Sequence, residues 1–507
     1  MSASPGRDAR PEVAKGAGLV FLARSGAIVE LITQPLYTWM LGLASYGMYT
    51  VLWSLVNLVE KIADLAMTSA LQRLLPGEST IETRAAVIKG ALLLGILPGI
   101  LIAILVMVFA PTIAGLINVD DNDARYLVTA IQLFAWAIPL WAAVETGTSA
   151  LRACKAFGPE IRLRLLWEQL IRLVFVILLW MAGLDTLALV VGHLLSLVLT
   201  VILTLRALHR YINLKLVWRA LIPAGMLREL LMSGMSVLPS NILGRLFSDL
   251  PVVFLNLVLP GAAGANAAGL YSIARKLASI PQMVGTVFSH VIAPIAAASE
   301  NRNPDTRQTL YSFTLRVSVL LALPTTAALI LAADSLLAIF VTGASAAWPI
   351  LVVLALARGI EASVGPATTI QQVISHRGLP VMNSCFGLLF SVGVSAVAYP
   401  YAGAVGVAIG VACGQVLMAV LAVWQLSHMD HLLFYDRGMR KVIVVAVISC
   451  LAMTGVANLI DTTPLWMRGP VLLAMYLASL WSCIRLALPA QDRQALGTPG
   501  RRLFLVD

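Results

Sequence analysis

Polar positions are scarce along this chain, and their placement carries most of its information. Apolar runs of about twenty residues, such as 91–110 and 442–460, alternate with short polar connections from position 17 to position 487. Coiled as helix, a run of this length crosses the ~30 Å hydrocarbon layer of a bilayer. The apolar/polar alternation of a membrane β-barrel strand is not found. The pattern predicts about fourteen spans, at 17–42, 46–74, 85–117, 125–155, 161–182, 186–208, 226–259, 266–297, 308–342, 347–375, 380–399, 403–427, 440–460 and 465–487. The expected fold class is therefore all-α, a polytopic membrane protein. The first sixteen residues lack a cleavable signal pattern, so the first span is expected to be retained.

The hydrophobic pattern also repeats. "YGMYTVLWSLV" from Tyr46 and "AGLYSIARKLA" from Ala268 match Gly47 to Gly269, Tyr49 to Tyr271 and Thr50 to Ser272, an offset of 222. At offset 223, "TRAAVIKGALLLGILP" from Thr83 meets "TRQTLYSFTLRVSVLLALP" from Thr306, and "APTIAGLI" from Ala110 meets "ADSLLAIF" from Ala333. Six spans per half put both halves in the same orientation, a parallel repeat of the kind found in transporters. The expected organisation is a tail over 1–16, a six-helix repeat over 17–208, a linker over 209–225 and a second six-helix repeat over 226–427. A two-helix hairpin over 428–487 and a tail over 488–507 complete it.

Within the spans, polar residues fall in stripes. Asn57, Glu60, Lys61, Asp64 and Thr68 occupy one helical face at i, i+3, i+4, i+7 and i+11. The offset of 222 carries that face to Ser279, Gln282, Met283, Thr286 and His290, extended by Ser272, Arg275 and Lys276. The first span adds Arg24, Glu30, Gln34 and Thr38; the fourth, Glu145 and Ser149; the tenth, Arg358, Glu361 and Gln372. The seventh adds Ser233, Ser236, Ser240, Gly244, Arg245, Ser248 and Asp249. An ionisable group at a helix centre costs roughly 2.5–3.5 kcal/mol on insertion scales, so these groups pair with one another or line hydrated space. Pairing is available to Lys61 with Asp64, Arg245 with Asp249 and Arg358 with Glu361, three or four residues apart. Arg24, Arg275 and Lys276 have no acid so placed on their own helix. The stripes in both halves are expected to face a central cavity.

Composition sharpens the picture. With 59% hydrophobic and 12% charged residues and a mean hydropathy of +0.89, a soluble protein of 507 residues could not bury its apolar surface. The net charge of +10 would suit a nucleic-acid binder, but its distribution instead follows the positive-inside rule. Inner connections gather Arg73, Arg84, Arg152, Lys155, Arg162, Arg164, Arg206, Arg210, Lys215 and further basic residues to Lys441. Outer ones hold Arg125 and Arg468 beside Asp120, Asp121, Asp123, Asp185 and Asp461. Both termini are expected on the cytoplasmic side of a bacterial inner membrane, with no nucleic-acid partner and secondary attraction to anionic membrane lipids. Short outer loops argue against a glycosyltransferase or polymerase. The sequence holds no Walker-type phosphate loop, no Ser-His-Asp signature and no zinc spacing, and its five cysteines form no framework, so neither enzymatic activity, nor a metal, nor a cofactor is expected. The "HMDH" run at His428–His431 and the glycine-rich "GAAGANAAG" at Gly261–Gly269 read as a solvated loop and a flexible connector.

The "LGLASYGMYTVLWSL" stretch, its echo "AGLYSIARKLASIPQMV" and twelve core spans plus two resemble the polysaccharide transporter family, the flippases of O-antigen and exopolysaccharide repeat units. That family lies within the multidrug/oligosaccharidyl-lipid/polysaccharide exporter superfamily, and the resemblance covers residues 15 to 430. The fourteen-span count also resembles the lipid II flippase branch. The resemblance implies an undecaprenyl-diphosphate-linked oligosaccharide as cargo, a cavity opening alternately to each side, and a polysaccharide polymerase and chain-length machinery as partners. For this cargo Arg24, Arg245, Arg275, Lys276, Gln282 and Arg358 are the candidate substrate contacts. Glu30, Glu60, Asp64, Glu145, Asp249 and Glu361 are the candidates for coupling protons or sodium. A cation-coupled multidrug antiporter is the alternative, disfavoured because intramembrane Arg and Lys outnumber the acids.

Overall fold

The computed structural model describes residues 26–78, 80–154, 156, 158, 162–298, 304–374, 378–435, 437–460, 463 and 465–494. Among them the regular structure is helical. In chain order the main helices are α1 (Gly26–Ala63), α2 (Met67–Leu74), α3 (Ile81–Val108), α4 (Asp121–Phe134), α5 (Ala137–Ala153), α6 (Glu168–Met181), α7 (Leu187–His209) and α8 (Met226–Met235). They continue with α9 (Leu238–Val258), α10 (Ala262–Ala298), α11 (Pro304–Leu331), α12 (Trp348–Ile374), α13 (Gly378–Met429), α14 (Arg437–Leu459), α15 (Leu465–Ala487) and α16 (Ala490–Gln494). Ten described helical stretches are long and apolar enough to cross a membrane. The chain is a multi-pass membrane protein.

Among the described residues the expected spans fall mainly on helix, with two of them reaching into each of α1 and α13. At 1.5 Å per residue the 52 residues of α13 would extend far beyond a bilayer. Gly403, at φ 53° and ψ −129°, turns the chain there. Behind it the two arms run back on each other: a Cβ at Gly406 would strike Ala398, one at Gly410 would strike Ser395, and Asn383 hydrogen-bonds Gln425. Gly42, at φ 82° and ψ 170°, does the same in α1, where Tyr46 donates to Gln34 at 2.5 Å. Twelve residues apart, these side chains would be ~18 Å apart along a straight helix. Side chains other than glycine rarely adopt such backbone angles.

Chain contacts divide the described residues into two compact units, one running to Ser272 and one from Ile273 onward. The first unit thus includes the expected linker and the seventh span. Its α2, α3, α5, α7 and α8 enclose a core with Met67, Leu71, Ile88, Leu151, Leu208 and Leu230. In the second unit, α11 to α15 enclose another, with Tyr311, Phe313, Leu320, Val442 and Cys483.

Local signals set several boundaries. Thr80 caps α3 by accepting from the Thr83 N–H, and Asp120 caps α4, whose first turn carries Asp121 and Asp123 beside the helix's positive end. Asp123, which the charge pattern assigns to an outer loop, is buried: it accepts from Ser45 Oγ at 2.9 Å and Thr186 Oγ1 at 2.6 Å. It ties three connections of the first unit together, as a buried carboxylate must be tied to persist there.

Candidate functional site

The polar stripe at 57–68 does not lie on one continuous helix. α1 stops at Ala63 and α2 starts at Met67, and between them Leu65 (φ 50°) and Ala66 (φ 55°) take left-handed backbone conformations. Each such residue costs about 1–2 kcal/mol. Asp64 holds the turn, its Oδ1 accepting from the Ala66 N–H at 2.7 Å. The Leu65 carbonyl sits over Gly234, where a Cβ would come within 2.2 Å of its oxygen. Unwound backbone at membrane depth is tolerated where protein buries it or where it lines a hydrated cavity.

Such a cavity adjoins the break. It has a volume of about 590 Å³ and lies wholly within the first unit. Lys61, Thr68, Ser69 and Gln72 line it from α1 and α2, Glu145, Ser149 and Arg152 from α5, and Arg164 from a π-helical segment, Arg162–Trp167, ahead of α6. Ser240, Asn241, Gly244, Arg245 and Ser248 complete it along one face of α9. The wall is built by hydrogen bonds across helices: Ser149 Oγ donates to the Thr68 carbonyl at 2.6 Å, and Gln72 Nε2 donates to Ser149 Oγ at 3.1 Å.

The charges are layered. Lys61 Nζ is held by Glu145, by Glu60 at 3.3 Å and by Asp64 at 3.6 Å. The other Glu145 oxygen takes Arg164 at 2.5 Å, and the Arg164 guanidinium lies 5.4 Å from the Trp141 ring centre. Arg245 lies 3.8 Å from Asp249. Glu60, Asp64 and Asp249 are buried behind the lining, and the side chains of Arg164 and Arg245 remain 30% exposed. The surface presented to the cavity therefore carries Lys61, Arg152, Arg164 and Arg245 against one carboxylate, Glu145. Carboxylate oxygens of Glu60, Asp64 and Glu145 lie within 4.8 Å of one another, a spacing that could hold a cation, although Lys61 already stands among them.

Other candidates lie elsewhere. Glu30 is not in the cavity wall; its charge acts on Tyr49 and Arg172. Those two belong to a buried network in which Arg172 donates to Tyr49 (2.9 Å), Glu168 (2.9 Å) and Gln169 (2.7 Å), and Tyr49 Oη meets His193 Nδ1 at 2.9 Å. Glu168 approaches His193 Nε2 at 3.6 Å. In the second unit, Arg358 pairs with Glu361 at 2.9 Å and Gln282 Nε2 donates to the same carboxylate at 3.4 Å. Arg275 and Lys276 are half-buried on α10. Arg24, and the side chains of Thr286, His290 and Gln372, lie outside the described residues.

Arg152 and Arg164 are legible only as basic residues of an inner connection, and Glu168, Arg172 and His193 are barely marked in the sequence. The one signal for the last group was an ionisable pair at i, i+4 inside an apolar run.

The family model described as "Polysaccharide biosynthesis protein" matches residues 38–353. No curated protein sequence matches the chain. Among solved structures, the lipid II flippase MurJ in an inward closed conformation is similar with a TM-score of 0.70 at 13% identity, covering 91% of this chain and 98% of its own. An inward-facing multidrug resistance MATE transporter of the MOP superfamily gives 0.64 at 15%, covering 85% and 97%. A MOP superfamily transporter from Pyrococcus furiosus, described as having a binding pocket of reverse polarity, gives 0.57 at 15%, covering 84% and 95%. At these identities the likeness is one of fold.

Proposed function

The chain belongs to the polysaccharide biosynthesis protein family, and from that premise we propose that it is a flippase. Its cargo is an undecaprenyl-diphosphate-linked oligosaccharide, an O-antigen or exopolysaccharide repeat unit, moved from the cytoplasmic to the periplasmic leaflet by alternating access. The observation that carries this reading is the polar cavity of the first unit, with four cationic side chains toward the space and three carboxylates buried behind them. A diphosphate and a sugar lose their hydration in hydrocarbon, so a carrier must supply substitutes. Arg152, Arg164 and Arg245 offer guanidinium forks for phosphate oxygens, and Ser69, Gln72, Ser240, Asn241 and Ser248 offer partners for sugar hydroxyls. Arg24, Arg275, Lys276, Gln282 and Arg358 are the further substrate contacts in this reading.

Proton or sodium coupling falls to carboxylates whose partners can be exchanged. Glu60, Asp64 and Glu145 share one lysine, so a change in the protonation of any of them redistributes Lys61. Glu30, Asp249 and Glu361 are the remaining candidates. The lipid II flippase reading differs only in cargo. The multidrug antiporter reading draws on the MATE-like fold, but a cationic drug entering this cavity would meet four cations and one acid.

Cells lacking the protein are expected to accumulate undecaprenyl-diphosphate glycan with unchanged tolerance of organic cations. Wild type should clear the accumulation, whereas Arg245→Ala combined with Arg164→Gln should reduce export by about tenfold or more at equal membrane level, since charge-assisted bonds to phosphate are each worth roughly 1.5–3 kcal/mol. Lipid extraction with mass analysis reads the result and identifies the cargo. No accumulation, with sensitivity to organic cations, would move the assignment to the antiporter.

In this reading the protein sits in the bacterial inner membrane with both termini in the cytoplasm and works beside a polymerase and chain-length machinery. A periplasmic reporter fused at Asp121 should be active and one at Lys215 inactive; the reverse pattern inverts the topology.

A further inference from the structure

We infer that α6, α7 and the π-helical segment before α6 form a second, separate binding site, for the headgroup of an anionic membrane phospholipid. Arg162, Arg206 and Arg210 converge on a concavity of about 310 Å³ lined also by Leu163, Trp167, Leu203, Ala207 and Tyr211. It shares no residue with the cavity described above.

The topology puts these residues at one membrane face. α6 and α7 form an antiparallel hairpin, close enough at its middle that a Cβ on Gly192 would lie 2.7 Å from the Val176 side chain and 3.0 Å from its backbone nitrogen. The start of the first arm therefore lies beside the end of the second. Arg206 and Arg210 are one turn apart on α7 and its C-cap, and Arg162 is steadied by donating its Nε to the Gly158 carbonyl at 3.2 Å.

Basic residues flank membrane helices for reasons of topology alone. Two features separate this group from that background. First, three guanidiniums share one concavity whose lining, among the described residues, contains no carboxylate, so their forks offer an external anion charge-assisted hydrogen bonds. Second, the anion has somewhere to put an apolar tail. Leu195, Val198 and Ile202 are exposed and lie in register below Arg206, at successive spacings of four, four and three residues down α7. Val174 and Leu178 are exposed likewise along α6 below Trp167. From Arg206 to Leu195 this stripe runs ~16 Å, about half the hydrocarbon layer and so the depth of one leaflet. Trp167 and Tyr211, both half-exposed at the rim, have the amphipathic character of aromatic residues at a membrane interface. A soluble phosphate would use the arginines and leave the stripe unused; a phospholipid uses both.

Native mass spectrometry on the purified full-length protein tests this, with phosphatidylglycerol competed against phosphatidylcholine of the same acyl chains. Wild type should retain phosphatidylglycerol preferentially, and Arg206→Gln with Arg210→Gln should cut that retention by about tenfold or more. The single Arg210→Gln variant, changed at the helix C-cap, should shift it in the same direction by less, so misfolding of the double variant would not leave the question open. Equal retention of the two lipids, or undiminished phosphatidylglycerol on the variants, overturns the proposal. So does displacement of the lipid by millimolar inorganic phosphate, which would make this a site for free anion.

Discussion

Replacing Lys61 with methionine is expected to unfold the first unit locally or to prevent its assembly. Lys61 is the shared cation of Glu60, Asp64 and Glu145, two of which are almost completely shielded from solvent. A methionine of similar volume keeps the packing and removes the charge, leaving three carboxylates together with Arg164 still on one of them. Breaking a buried ion pair by removing one partner typically costs ~3–5 kcal/mol, because the remaining charge is left uncompensated. Asp64 also holds the left-handed turn at Leu65 and Ala66, so repulsion among the acids acts directly on the break between α1 and α2. The expected result is a clear fall in the thermal midpoint of the purified protein, with partial recovery when Glu60→Gln is added to remove one of the excess charges. An unchanged midpoint in the single variant would mean that the carboxylates are already neutral or hydrated, and that Lys61 is not their structural partner.

The second large effect is expected at Gly47. A Cβ there would lie 1.9 Å from the Ala265 carbonyl oxygen and 2.6 Å from its carbon, both backbone atoms, so no side chain can give way. Gly269 meets the same crossing from the other side, its Cβ position 3.0 Å from the Leu43 carbonyl oxygen and 3.3 Å from the Gly47 Cα. Small residues let membrane helices approach backbone to backbone, and this contact has no room for a methyl group. Gly47→Ala should cost at least the 1–3 kcal/mol typical of overpacking and Gly47→Val more, read as thermal midpoint and as export at matched expression. Gly455→Ala on α14 is the matched control. Its added methyl meets nothing within 4 Å, so the substitution should be neutral or slightly stabilising. Equal behaviour of the variants at Gly47 and Gly455 would refute the close crossing.

Gly47 and Gly269 illustrate what is readable in one dimension. The repeat matches them at an offset of 222 without saying that they touch; the fold brings the two against each other. Lys61–Asp64, Arg245–Asp249 and Arg358–Glu361 are readable outright, since residues three or four apart on a helix meet whatever surrounds them. The break at Asp64 is not: no glycine or proline marks it, and the cost of its left-handed residues is met by contacts from α8 and α5, far along the chain.

From sequence alone come the all-helical membrane class, the spans, the repeat and the local ion pairs. Each follows from rules that act within a helix or between a helix and its solvent: an apolar run must be long enough to cross the bilayer, its backbone must bond to itself, and its charges need a neighbour one turn away. Tertiary packing alone decided that Glu145 would bridge Lys61 and Arg164, that Arg152 and Arg164 would turn from the membrane edge toward a cavity, and that Asp123 would be buried under Ser45 and Thr186. It also decided that His193 would join Tyr49, 144 positions away. Periodicity fixes which side of its own helix a residue occupies. It cannot fix which other helix lies opposite, because that depends on the shapes and kinks of every segment packed around it.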